Sequence, residues 1–170
     1  MTAVRARLLT HELLPVLAGA TATALLAQVS VHLWPVPITL QTAVVLACGL
    51  LLGARRGAAA QVTYLLAGAA GLPVFAELKA GAPWLLGPTG GYLLAFPLVA
   101  ALAGWAGERW QGWRLGLATL AANLVLLLVG TLWLSVVLRH MAWSEGFVPF
   151  LPGALAQTAG ALAAYKIGKR

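Results

Sequence analysis

Cut at its charges, prolines and glycines, the chain divides into six apolar stretches, at approximately 13–34, 38–54, 57–72, 90–107, 114–138 and 150–166. A bilayer core about 30 Å thick needs roughly 20 apolar residues per helix, so each stretch is expected to be a transmembrane helix. The second and third are short and are separated only by "GARRG". The first is longer than the core of a secretion signal and is followed by similar stretches, so it is expected to be retained as a span.

Composition agrees with that division. Of 170 residues, 61% are hydrophobic and 9% charged, and the mean hydropathy is +0.90, beyond what a soluble domain of this size needs to bury a core. Lys and Arg in short loops resist translocation and mark the cytoplasmic face. Arg5, Arg7, Arg55, Arg56, Arg109, Arg114, Lys166, Lys169 and Arg170 fall on one side of the expected spans, against Lys79 and Arg139 on the other. The expectation is an all-α membrane protein, a bundle of six transmembrane helices with both termini cytoplasmic, multi-pass in the plasma membrane, with "ELKAG" (77–81) outside. The apolar composition never breaks, which predicts a single integral membrane domain over residues 1–170. Scattered over helix ends, the basic residues read as topology anchors and not as a nucleic-acid surface.

Charge and nucleophile inventory exclude most chemistry. The acidic residues are Glu12, Glu77, Glu108 and Glu145, with no Asp, and each lies near a helix end or in a loop. A proton-driven carrier keeps an ionisable group inside the membrane, and none is evident in the sequence. "KIGKR" lacks the upstream Gly and following Ser or Thr of a phosphate-binding loop. His11, His32 and His140 are far apart without acid or nucleophile partners, which argues against an intramembrane hydrolase; packing or interfacial roles suit them. Cys48 is alone, excluding a disulfide framework and a cysteine metal cluster. No enzyme activity, cofactor or metal is expected, and any concentrative transport needs power from outside the chain.

What remains points to binding. Small residues at Gly49 and Gly53, and at Gly112 and Gly116, suit close helix packing. In the first span Ala18, Ala20, Ala22 and Ala24 form a small-residue stripe on which a partner helix could dock. Gln41, Gln61, Thr63, Tyr64, Asn123, Thr131 and Gln157 fall inside spans, where a polar group needs a partner. Helix-to-helix hydrogen bonding accounts for any one of them, but Gln41 and Tyr92 adjoin the proline-rich segments "WPVPITLQ" (34–41) and "PVFAELKAGAPWLLGPTGG" (73–91) on the side poor in positive charge. A cavity of amides, hydroxyls and aromatic rings suits a neutral ring with donors and acceptors on its edge. In "GPTGG", Gly90 and Gly91 would let the main chain approach such a ligand, Pro88 would fix the approach and Thr89 would add a hydroxyl; alternatively the turn merely opens the fourth span.

Five blocks, "VPITLQT" (36–42), "LLLGARRGAAAQVTYLLAGAAGLPVFA" (50–76), "GPTGGYLLAFPLVAALAG" (87–104), "GTLWL" (130–134) and "PFLPG" (149–153), resemble in order and spacing the BioY family, the substrate-binding membrane component of energy-coupling-factor biotin transporters. The resemblance implies a six-helix bundle that captures biotin at its outer face and relies on a coupling membrane protein and two ATPases, docked on the first-helix stripe. It implies a ligand site around Thr39 and Gln41 of the first outer loop and Thr89, Gly90, Gly91 and Tyr92 of the "GPTGGY" turn, with Asn123 and Trp133 from the fifth span. The family's last helix typically begins with an Asp and, three residues on, a Lys, associated with the biotin carboxylate. Here Ala154 and Gln157 stand there, and Lys79 is the expected substitute cation, ahead of Arg139. A different small vitamin-like ligand, or a non-transport assembly role, are the alternative readings.

Overall fold

A computed structural model of the chain describes residues 2–31 and 35–169, with side chains at 11–30, 35–37 and 39–169. His32 and Arg170, and the side chains of Arg5 and Arg7, lie outside the described residues. The helices are α1 (Thr2–Ala27), α2 (Gln41–Leu52), α3 (Ala54–Ala69), α4 (Pro83–Leu86), α5 (Gly90–Arg109), α6 (Gly112–Leu138), α7 (Trp143–Gly146) and α8 (Leu151–Gly168). A two-residue antiparallel ladder, β1 (Ser30–Val31) with β2 (Ile38–Thr39), pairs Ser30 with Thr39 and Val31 with Ile38. Apart from that ladder and two single-turn 3₁₀ segments, Ala76–Leu78 and Val148–Phe150, the regular structure among the described residues is α-helical.

Among the described residues, three helical stretches are long and apolar enough to cross a membrane: Gly90–Arg109, Gly112–Leu138 and Trp143–Gly168. The part of α1 with described side chains, His11–Ala27, and the whole of α2, Gln41–Leu52, are also apolar. The chain is thus all-helical with several membrane-type helices, six of which have twelve residues or more among the described residues. The first differs from expectation: α1 starts at Thr2 and ends at Ala27, not near 13 and 34. Charge does not bar its early turns, because Glu12 accepts a two-pronged hydrogen bond from Arg56 of α3, with Nε to Oε2 at 2.8 Å. Pro15 lies inside the helix, where it removes one backbone donor without ending a membrane helix.

The expected "GARRG" break is narrower than five residues. Gly53 alone separates α2 from α3, at φ 84° and ψ 169°, a conformation that L side chains rarely adopt. Arg55 and Arg56 already belong to α3. The link is packed from behind by α5: a Cβ at Gly104 would collide with the Ala54 backbone, and one at Gly49 with Ala100 O. Close backbone approach of this kind is how helices associate where burial from water no longer drives them.

α5 is the centre of the bundle. Ala95, Val99, Ala100 and Ala103 on it are at most 4% exposed, and it packs against α2, α3 and α6. The alanine stripe of α1 is divided by the helix's own period. Ala20 is buried in the core and Ala24 packs half-buried against it, whereas Ala18 is exposed and Ala22 half-buried. Residues two apart on a helix face nearly opposite ways, so Ala20 cannot present a docking surface, and the outward pair is Ala18 and Ala22.

Candidate functional site

A cavity of about 280 Å³ lies between the loop ends of the helices, at the lower edge of the size range of small-molecule sites. Its walls come from five parts of the chain. The β2–α2 segment gives Thr39, Gln41 and Thr42; the 75–89 segment gives Phe75, Glu77, Lys79, Trp84 and Thr89; α5 gives Tyr92, Leu93 and Phe96. α6 adds Leu126 and Leu127, and the start of the last helix adds Phe150 and Gln157. The wall is therefore aromatic and aliphatic with a few polar groups, the composition that holds a small ligand by burial and orients it by hydrogen bonds.

Aromatic rings frame the cavity. Tyr64 meets Phe75 edge-on at 5.6 Å between centroids and lies 6.4 Å from Phe96, and Tyr92 stacks on Phe150 at 5.9 Å. Their hydroxyls are held by the protein. Tyr64 Oη accepts from Gln41 Nε2 at 2.6 Å and donates to Val74 O at 3.2 Å; Tyr92 Oη donates to Gly146 O at 2.7 Å. Such pairing removes the penalty of a buried hydroxyl and fixes each ring. Among the described residues, the hydroxyls of Thr39 and Thr89 and the amide oxygens of Gln41 and Gln157 make no hydrogen bond.

The loop carrying Lys79 is tightly built. Glu77 and Leu78 have φ 61° and 56°, a left-handed pair of non-glycine residues, which persists only where the surroundings enforce it. Gln28, at the end of α1, supplies that enforcement. Its Nε2 donates to Ala24 O at 3.1 Å, to Phe75 O at 3.0 Å and, at 3.4 Å, to Val74 O, while its Oε1 accepts from Leu78 N at 3.0 Å. Phe75 N donates to Lys79 O at 3.1 Å, closing the loop. Lys79 Nζ then sits 2.9 Å from Glu77 Oε2 and 4.3 Å from the centre of the Trp84 ring. Sequence reading missed Gln28; the signal was an amide closing an apolar helix immediately before the first loop.

Of the ten residues singled out for the ligand, Thr39, Gln41, Lys79, Thr89, Tyr92 and Gln157 line the cavity, while Gly90, Gly91, Asn123 and Trp133 do not. The two glycines admit Trp133: a Cβ at Gly91 would collide with the Trp133 side chain, and one at Gly90 with Leu85 O. Trp133 Nε1 in turn donates to Gly87 O at 3.0 Å, holding the turn that carries Thr89. Asn123 is fully buried and joins α6 to α8, with Nδ2 donating to Ala154 O at 3.0 Å and Thr158 Oγ1 at 3.2 Å. Gln157 Nε2 donates to Thr39 O at 2.8 Å, tying α8 to the first loop, and Ala154 is buried away from the cavity. Arg139 caps α6 in a left-handed conformation and does not reach the lining.

A helical membrane protein with a small, loop-roofed, mostly apolar cavity at one end belongs to the class of membrane-embedded small-molecule binding components. The BioY family model matches residues 1–170, so the chain belongs to the BioY family. It is 42% identical over 128 residues to the biotin transporter BioY of Thermotoga maritima, covering 74% of this chain and 76% of that protein. To the probable biotin transporter BioY of Pyrococcus horikoshii it is 39% identical over 122 residues, covering 72% and 71%. To biotin transporter BioY2 of Lactococcus lactis subsp. cremoris it is 35% identical over 138 residues, covering 78% and 76%. The fold matches the crystal structure of the S-component for biotin from an ECF-type ABC transporter with a TM-score of 0.84 at 24% identity, over 96% of this chain and 94% of that one. Family and fold are those of a transporter component, not of an enzyme.

Proposed function

We propose that this chain captures biotin in the cavity between its loops and delivers it across the plasma membrane as the substrate-binding component of an energy-coupling-factor transporter. The observation that carries the reading is the cavity itself. It has aromatic and aliphatic walls, unpaired hydroxyl and amide groups, and Lys79 as the one basic residue of its described lining. Biotin has matching parts: a neutral ureido ring with donors and acceptors on its edge, an apolar body, and a carboxylate on a chain.

In this reading Thr39, Gln41, Thr89 and Gln157 face the polar edge of the ligand, Tyr92 supplies a wall, and Lys79 takes the carboxylate that a lysine of the last helix takes elsewhere in the family. Gly90, Gly91, Trp133 and Asn123 act one step back, by holding the turn and the α6–α8 contact. The six helices of twelve residues or more form one membrane-embedded bundle and a single domain, in which the twelve-residue α2 is too short to cross the bilayer by itself. Both termini are cytoplasmic, because the basic residues collect at the ends opposite the cavity loops. Energy comes from a coupling membrane protein and ATPase subunits that meet α1 on its Ala18–Ala22 side.

Ala154 and Gln157 favour one second reading, in which a related vitamin-like ring compound without a carboxylate is the ligand. Mass spectrometry of small molecules that co-purify with the protein in detergent separates the two. Biotin at near-stoichiometric amounts is the expected result, and a different compound, or none together with no biotin binding, overturns it.

A further inference from the structure

The turn between α5 and α6 is aromatic and basic: "WAGERWQGWRLG" (105–116) has three of the seven tryptophans and two arginines. Trp105 and Trp110 meet edge-on at 4.9 Å between centroids. The guanidinium of Arg109 lies 4.7 Å from the Trp105 ring centre and that of Arg114 5.6 Å from the Trp113 ring centre. No carboxylate among the described residues pairs with either arginine. Glu108 is turned elsewhere, accepting from Ala54 N at 3.0 Å.

Next to this turn a second cavity, of about 670 Å³, opens on the outside of the bundle between the two helices. Small side chains create it. Ala106 and Ala122 form a buried floor with half-buried Ala118, exposed Leu117 and Trp113 form a wall, and Arg114 is the one charged residue of the lining. Along α6 the lining runs from Trp113 to Val125, a rise of twelve residue steps, or roughly 18 Å of helix. That is about the depth of one leaflet, half of a core about 30 Å thick plus the start of the headgroup zone. An empty groove facing hydrocarbon would forfeit dispersion contacts along its length. Tryptophans at its mouth suit the headgroup level, and unpaired arginines beside them suit a negative headgroup.

We propose that the α5–α6 groove is a binding site for one anionic phospholipid. An acyl chain lies on the alanine floor, and the phosphate sits at Arg114, flanked by Arg109, at the level of the three tryptophans. The site is separate from the ligand cavity and does not depend on the biotin reading.

The test is tryptophan quenching by brominated lipid. The protein is reconstituted in phosphatidylcholine vesicles containing increasing fractions of dibrominated phosphatidylglycerol or, in parallel, dibrominated phosphatidylcholine. Quenching is expected to saturate at a lower fraction of phosphatidylglycerol. One arginine near the surface is worth about fivefold in preference. Arg114→Gln should therefore lower the preference about fivefold and the Arg109→Gln, Arg114→Gln pair about twentyfold or more, while Arg114→Lys retains it. Ala121→Leu, at an exposed position of the lining, should weaken quenching by both lipids at an unchanged thermal unfolding midpoint. Equal saturation by the two lipids in the unaltered protein, or a preference that survives loss of both arginines, overturns the proposal. So does a dimer in dilute detergent that Ala121→Leu dissociates, which would assign the groove to a second copy of the chain.

Discussion

Truncating Lys79 tests the ligand's orientation. If biotin's carboxylate lies against this ammonium, Lys79→Ala removes a charge-assisted hydrogen bond contributing about 1.5–3 kcal/mol. Lys79 is already engaged before a ligand arrives, 2.9 Å from Glu77 Oε2 and over the Trp84 ring, with its side chain 34% exposed. A partly exposed ion pair of this kind contributes about 0.2–1 kcal/mol, and the ligand must displace or share it. The net loss is then about 1–2 kcal/mol, or roughly five- to thirtyfold in affinity. Isothermal titration of the purified protein with biotin and with its neutral amide provides the measurement. Biotin should weaken by that factor while the amide is nearly unaffected. Glu77→Gln in the same background separates loss of the cation from repulsion by the carboxylate left behind. Gln157→Lys, which returns a cation to the cavity from α8, should recover part of the loss, less the contribution of the Gln157–Thr39 hydrogen bond. Equal losses for biotin and its amide would refute the assignment of Lys79 to the carboxylate.

Three further outcomes follow from other parts of the fold. A cysteine at position 79 should react with a membrane-impermeant maleimide in intact cells while one at 169 does not; Cys48 is buried and should stay silent, and the reverse pattern would invert the proposed topology. Gln28→Ala frees the 75–79 loop by removing its contacts to Phe75 O, Val74 O and Leu78 N, so ligand affinity should fall about tenfold, as expected for losing one or two net hydrogen bonds; unchanged affinity would show that the loop holds its shape without it. Ala22→Trp, on the outward side of α1, should abolish uptake in cells and spare binding by the purified protein, whereas Ala20→Trp, in the core, should lower the thermal midpoint; full uptake with Ala22→Trp would remove α1 from the docking surface.

The apolar runs located the later helices well because nothing local competes with hydropathy there. The stretch expected at 90–107 is Gly90–Arg109, that at 114–138 is Gly112–Leu138, and that at 150–166 is Leu151–Gly168. The N-terminal region was harder to read, since cutting at charge discards Glu12, and its pairing with Arg56 lies 44 residues away in sequence. The small-residue stripe misled for a related reason: alanines two apart look continuous in a sequence but face opposite sides of a helix. In the site, residue types were legible and commitments were not. Hydroxyls and amides beside proline-rich loops marked Gln41, Thr89 and Tyr92, whereas Thr39 and Gln157 were singled out through the family resemblance. Sequence could not tell that Gly91 makes room for Trp133, that Asn123 is taken by Ala154 O and Thr158, or that Gln28 carries the loop. Those facts depend on which helices become neighbours.

Equilibrium binding of radiolabelled biotin to the purified protein, with a cavity-filling variant measured beside it, tests the central claim most directly. Thr89 lines the 280 Å³ cavity, and a tryptophan there would occupy much of its volume while leaving the helices in place. One saturable site per chain in the unaltered protein, lost in Thr89→Trp at an unchanged thermal midpoint, is the predicted result. No saturable biotin binding, or binding that Thr89→Trp leaves intact, would contradict it.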